Sequence, residues 1–364
     1  SDLAGRYTLP LNSEIDGERI DNSYAGTRYA DQIEALADSA ARRLFRARCA
    51  TTRPLSGHIA AMSVLAPLLP RGATYLAIPP EVGGYDGYAP GFLPAVLGHN
   101  VRPILAGGPE APLSADLVRE EIRRERPDAV LLGQSFVLFP YPLKEIAEEA
   151  HAREALVLYD ASHVLGLIAG WQFQDPLREG ADVVFGSTHK SFPGPQGGLL
   201  LTDREDLFGQ LEPALTWRIF DNAHWNRIAA MGQTLLEMER FAADYARETV
   251  GSARALARAL TERDLPVLGE ANGFTASHQL HLDRERIRRR HGVGPGALAR
   301  RWEGSGLITD LVGRLGTAEL TRRGLTPAEM PRLAELLARA GPGRENVSKE
   351  VHAWRQQFPD LKYR

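Results

Sequence analysis

Residues 156–202 read LVLYDASHVLGLIAGWQFQDPLREGADVVFGSTHKSFPGPQGGLLLT. An apolar run over 156–159 ends in Asp160, and His163 follows three residues later. A second run over 183–185 leads into Ser187, Thr188, His189 and Lys190, and a Pro/Gly-rich turn separates these from a third run over 199–201. Runs this short and this continuously apolar are expected of strands buried on both faces, as in a parallel sheet covered by helices. In such open sheets ligands bind beyond the carboxyl ends of the strands. The polar residues of the segment therefore converge on one edge of the sheet, where chemistry is to be sought.

Outside this segment, strands are expected at 75–78, 103–105 and 129–132, separated by helices beginning near Ser56, Ser114 and Tyr141. A first amphipathic helix is expected to bury Ile33, Leu36, Ala37, Ala40 and Leu44 on one face. The pattern predicts an α/β fold: a large domain with a mostly parallel sheet flanked by helices, plus a smaller C-terminal α+β domain. The expected division is an N-terminal arm over 1–29, a large domain over 30–225, a connecting helix over 226–250 and a small domain over 251–364. Within the last, 280–282 suggests a strand, and helices are expected at 295–301 and 327–340.

A single core rarely serves more than roughly 250 to 300 residues, so 364 residues fit two lobes. With 43% hydrophobic and 24% charged residues, the chain is neither disordered nor fibrous. Its net charge of −3 offers no global field to draw nucleic acid or a membrane surface. The basic run RERIRRR at 284–290 reads as the solvated face of a helix. One cysteine, Cys49, excludes an intrachain disulfide and suits a reducing compartment. No stretch approaches the roughly 18 apolar residues of a membrane span, the first residues lack a signal-peptide pattern, and no metal-ligand spacing is evident. A cytoplasmic location is expected.

A lysine and an acidic residue at neighbouring strand ends are what pyridoxal 5′-phosphate (PLP) chemistry requires. The lysine amine forms an imine with the cofactor, and the acid keeps the pyridine nitrogen protonated so that the ring can accept electrons from Cα. Lys190 and Asp160 have those positions. Each candidate also has a purely structural reading: Asp160 as a turn or helix cap, His163 as a core histidine, Arg314 as a surface ion-pair partner, Tyr88 as packing and Ser56-Gly57 as a helix cap.

The pairing of DASHVLGL with GSTHKSFPGPQGG resembles serine hydroxymethyltransferase and its relatives in the aspartate-aminotransferase fold, PLP fold type I, in which the lysine of the THK tripeptide bears PLP. Residues 24–29 (YAGTRY) are similar to that family's Y-P-G-x-R-Y segment, and 54–58 (PLSGH) to its P-x-S-G-S phosphate loop. Residues 313–317 (GRLGT) and 321–324 (TRRG) are similar to its I-R-x-G-T-P-x-x-T-x-R-G segment. The resemblance implies that Asp160 meets the pyridinium nitrogen and that His163 lies beside the cofactor's O3′ and imine. It further implies that Ser56, Gly57 and His58 hold the phosphate at a helix N-terminus, that Ser187 and His189 add contacts, and that Tyr88 covers the ring with Ser135 near O3′. Arg314 would bind the substrate carboxylate through its two-donor fork, with Tyr29, Ser13 and His224 as further substrate contacts. A homodimer with active sites between subunits is implied as well.

Departures from the family bear on the reaction. Ile20, Asn22 and Ala30 stand roughly where the family has two tyrosines and a glutamate, so groups that handle the β-hydroxyl and the folate are largely absent. Residues 306–310 run almost directly into Gly313-Arg314, without the longer folate-binding insertion. Gln196 and His58 replace an arginine and a serine, and FDNAHWN at 220–226 replaces a glycine-rich segment. This last cluster is read either as reaching a neighbouring active site, with His224 as acid or base, or as a helix start capped by Asp221 or Asn222. The expected function is PLP-dependent aldol, retro-aldol or transaldol cleavage of a small β-hydroxy amino acid without folate. The alternative keeps the cofactor and changes the bond broken, giving an aminotransferase, a racemase, or an elimination, replacement or cyclisation enzyme.

Overall fold

The computed structural model describes residues 13–20, 27–105, 107–108, 110–216 and 218–364. Asn22 and the segment 24–26 lie outside the described residues. Ser13 belongs to a two-stranded ribbon, β1 (Ser13–Ile15) against β2 (Glu18–Ile20), where it pairs with Ile20.

The central sheet has seven strands: β3 (Cys49–Thr51), β4 (Thr74–Ala77), β5 (Asn100–Pro103), β6 (Ala129–Leu132), β7 (Leu156–Asp160), β8 (Val183–Ser187) and β9 (Gly198–Thr202). Their order is β3-β9-β8-β7-β6-β4-β5. All pairings from β8 through β7, β6 and β4 to β5 are parallel, while β9 runs antiparallel to both β8 and β3. Successive side chains of a strand point to opposite faces, and here both faces are covered. Val130, Leu132, Val157, Tyr159 and Val184 face one buried cluster, shared with the helix α1 (Arg28–Phe45) and the 37-residue helix Trp225–Thr261. Ala129, Leu131, Leu158, Val183 and Phe185 face the other, shared with α2 (Gly57–Leu68). Each large apolar side chain buried this way contributes about 1.5 to 3 kcal/mol.

A third cluster gathers residues between Ala253 and Val351, including Trp302, Leu298, Met330 and Leu337. Beside it lies a second ribbon, β10 (Gln279–His281) antiparallel to β11 (Arg314–Gly316), with His281 opposite Arg314. Gly313, at a φ of +91°, makes the turn into β11 that an L side chain would strain. The tail forms the helix Ser348–Arg355. None of the helices among the described residues is long and apolar enough to cross a membrane.

The expected face of α1 requires correction. Ala37, Ala40 and Leu44 are buried, but Ile33 and Leu36 are 39% and 68% exposed, and the inward face is completed by Ala30, Glu34 and Ala41. Small alanines allow α1 to lie close against the long helix, so Ile33 and Leu36 fall outside while Leu44 and Phe45 are buried at its end.

Candidate active site

The carboxyl ends of β6, β7 and β8 open onto a cavity. Asp160 is the last residue of β7, and its two carboxyl oxygens are already engaged. Oδ1 accepts from the Ser162 N–H at 2.9 Å, and Oδ2 accepts from the Tyr88 hydroxyl at 2.5 Å. Tyr88 is buried, and its phenol is pushed well above its ordinary pKa by that burial and by Asp160, so it remains a donor.

A small pocket there is lined by Gly57, His58, Tyr85, Gln134, Ser135, Asp160, Ser162, His163, Ser187 and Lys190. Ser56, in extended backbone conformation, caps α2: its hydroxyl accepts from the Ile59 N–H at 3.1 Å. Gly57 must be glycine, because a Cβ would lie 2.1 Å from the Ser187 hydroxyl. Ser187 in turn donates its backbone N–H to the Ser162 hydroxyl at 2.9 Å, and His58 Nδ1 meets the Tyr85 hydroxyl at 3.0 Å. Backbone N–H groups of a helix start, the hydroxyls of Tyr85, Ser135, Ser162 and Ser187 and an imidazole form a donor set suited to a phosphate.

Lys190 Nζ lies 3.2 Å from His163 Nε2. Its side chain is solvent-accessible because it faces the cavity, yet the surrounding protein desolvates it. That burial, together with Arg314, lowers its pKa although Asp160 acts in the opposite direction. Burial also takes His163 well below the ordinary histidine range, helped by Lys190, His278, Arg314 and His281, so its ring is neutral. Arg314 Nη1 donates to the Ser135 carbonyl at 2.9 Å. The guanidinium lies over the Phe136 ring, and its Nε is 3.2 Å from Asp310 Oδ2 in an ion pair. His163 and Lys190 also line a second, adjoining cavity of about 710 Å³, which Arg314 borders and which has Leu307, Ile308, Trp354 and Phe358 among its apolar walls.

Lys190, Asp160, His163, Gly57, His58, Ser135, Ser187 and Arg314 thus share one region of the molecule. Other expected residues do not line it. Tyr88 stands behind Asp160, and Tyr85, packed edge-on at 5.2 Å from Tyr88, faces the cavity instead. The hydroxyl of Ser56 is committed to the cap. His189 is exposed beside Lys190 without lining the cavity. Tyr29 is 71% exposed on α1. His224, also exposed, is itself the N-cap residue of the long helix, at a φ of +54°, and neither Asp221 nor Asn222 caps it.

Residues that sequence reasoning passed over come from the start of β10 and the residue before it. Gln279 touches His163, and His278 stacks on it with ring centres 6.4 Å apart and planes 12° apart. Their sequence signal was weak, since a polar SHQ entering a short strand has no motif spacing.

Comparison with known proteins accords with this geometry. The family model for serine hydroxymethyltransferase matches residues 12–286. A serine hydroxymethyltransferase of Methanopyrus kandleri is 39% identical over 365 residues, covering 95% of this chain and 83% of its own length. That of Methanothermobacter thermautotrophicus is 36% identical over 373 residues, covering all of this chain and 86% of its own. The crystal structure of L-threonine transaldolase from Pseudomonas fluorescens, in its internal aldimine state, superposes with a TM-score of 0.87 at 26% identity, over 100% of this chain and 84% of that one. The chain therefore belongs to the serine hydroxymethyltransferase family: it is a PLP-dependent enzyme of fold type I that acts at Cα, of the hydroxymethyltransferase and transaldolase type.

Proposed function

We propose that this enzyme cleaves the Cα–Cβ bond of a small β-hydroxy amino acid, or exchanges its aldehyde part in a transaldol reaction, without tetrahydrofolate. The observation that carries the reading is the convergence of Lys190, His163 and Arg314 on one cavity, with Asp160 in the adjoining pocket that Lys190 and His163 also line. The donor set fits PLP: a partly desolvated amine, a carboxyl held by two hydrogen bonds, and a hydroxyl-rich helix start that a Cβ at position 57 would fill. Bound there, PLP supplies an electron sink for the charge left at Cα.

Lys190 would hold the cofactor through its amine and, once released, carry protons to and from the substrate. Asp160 would balance the charge of the protonated ring nitrogen, and Gly57, His58 and Ser187 would take the phosphate. Arg314, its plane fixed by Ser135 and Phe136, would orient the substrate carboxylate. Independence from folate is supported by the short link from the helix Pro295–Glu303 to β11, residues 304–313, where Ile308 is 88% exposed. A homodimer is supported by Tyr29, Ile33 and Leu36, an exposed apolar stripe at i, i+4 and i+7 on α1. The single Cys49 supports a cytoplasmic location.

A panel of amino acids tests the reaction. Release of glycine and an aldehyde, at a rate unchanged by tetrahydrofolate, is expected. A keto acid, Cα deuterium exchange without net product, or a strict need for folate would each overturn the assignment. Sedimentation showing an active monomer would remove the dimer.

A further inference from the structure

We infer that Gln279 is a positioning residue that fixes the proton of His163 on Nε2 and thereby keeps Lys190 as an uncharged amine. The inference rests on Lys190 being the cofactor-bearing amine, as read above, and concerns what holds that amine ready.

The oxygen and nitrogen of a glutamine amide are told apart only by their neighbours. Two of the neighbours here are unambiguous. The Val137 backbone N–H can only donate, and it meets Gln279 Oε1 at 3.1 Å. The Ser135 carbonyl can only accept, and it meets Gln279 Nε2 at 3.2 Å. The backbone following β6 therefore sets the amide, and His281 Nε2, 3.0 Å from Oε1, fits as a further donor. Gln279 Nε2 also lies 2.9 Å from His163 Nδ1, so that ring nitrogen must accept. A neutral imidazole accepting at Nδ1 carries its proton on Nε2.

That Nε2 faces Lys190 Nζ. An N–H directed at an ammonium group sets donor against donor, whereas a free amine offers a lone pair. For the ammonium to donate instead, His163 would have to move its proton to Nδ1, opposite the Gln279 amide hydrogens. Turning the amide over would then oppose it to the Val137 N–H and the Ser135 carbonyl together. A doubly protonated His163 would be a further cation beside Lys190 and Arg314, in a buried setting with His278 stacked against it and His281 beyond Gln279. Asp160 is the acidic group that favours charge on Lys190, and Arg314 opposes it.

The test reads the tautomer directly. In the full-length protein labelled with ¹⁵N-histidine, before PLP is added, long-range ¹H–¹⁵N NMR should find His163 protonated on Nε2 between about pH 6 and 8. Gln279→Glu presents a carboxylate to Nδ1 and should move the proton there. The same variant loaded with PLP should show its visible absorbance band titrating about one pH unit higher, from the added negative charge. Gln279→Leu should release the restraint and populate both tautomers. A wild-type His163 protonated on Nδ1, or a tautomer unchanged in Gln279→Glu, overturns the assignment, and the wild-type measurement decides even if the variants do not fold. Persistence of the PLP band in Lys190→Ala would defeat the cofactor reading instead, with the His163 tautomer already settled separately.

Discussion

Tyr88 donates its phenolic hydrogen to Asp160 at 2.5 Å from a fully packed position behind the active-site cavity. The carboxyl is thus fixed by a group that does not itself face the cavity. Tyr88→Phe removes that donor while keeping the ring, and hydrogen bonds to charged groups contribute about 1.5 to 3 kcal/mol. PLP retention should weaken by roughly tenfold. Equilibrium titration of PLP into the variant measures it, and an unchanged affinity would separate Tyr88 from the function of Asp160.

Ser56 and Gly57, adjacent in sequence, should respond differently to substitution. Ser56→Ala removes an N-cap and should cost about 1 kcal/mol of stability with PLP affinity changed little. Gly57→Ala places a methyl 2.1 Å from the Ser187 hydroxyl and 3.0 Å from its backbone nitrogen. Such overpacking costs about 1 to 3 kcal/mol, and PLP should no longer be retained. Denaturant melts and PLP titration on the two variants distinguish a cap from a cradle.

Arg314 has a fixed plane, so its fork and not only its charge should matter. Arg314→Lys should raise KM about ten- to a hundredfold with a smaller change in kcat. Steady-state kinetics, together with spectral titration by glycine, give both quantities. An equal loss in kcat alone would place the arginine's role after binding.

Acid should destabilise the PLP-free protein through its buried imidazoles. Burial holds His278 and His281 down to about 3, chiefly aided by the charge of Arg314. Their folded values lie below the unfolded 6.5, so between those limits the unfolded chain binds more protons and stability falls as pH falls. Each such group gives a slope of up to about 1.4 kcal/mol per pH unit within the window, and His163, lowered by the same burial, adds its own. Asp38 works in the opposite sense: raised to about 7 by burial and Glu34, it is protonated in the fold where the unfolded chain is not, and its contribution is lost as pH rises toward 7. Comparing urea denaturation of wild type and His278→Phe from about pH 5 to 7 cancels the Asp38 contribution. The variant should lose one histidine's share of the slope, up to about 1.4 kcal/mol per pH unit, and parallel curves would mean that His278 takes up its proton in the folded state.

The sheet and the central chemistry were legible because they coincide in the chain. Asp160 and Lys190 each terminate or follow a fully apolar strand, so hydrophobicity and polarity switch at the residues that matter. Contributions from distant segments were not legible. Gln279 reaches His163 across 116 positions, and nothing local to residues 278–281 announces it. Tyr85 and Tyr88 differ by three positions around a tight turn, so spacing alone could not decide which faces the cavity. Apolar periodicity placed Ile33 inward, whereas close helix packing selected the alanines of α1. Three-residue β3 was too short to carry a strand pattern.

The pairing of β10 with β11 sets His281 opposite Arg314, on the same two-stranded ribbon that carries Gln279. The arginine proposed to grip the incoming amino acid and the glutamine proposed to orient the lysine's neighbour are therefore carried by one ribbon. On the proposed roles, a displacement of that ribbon as Arg314 takes up a carboxylate would be passed to His163 through Gln279, so that substrate recognition and the state of the amine would share one mechanical element.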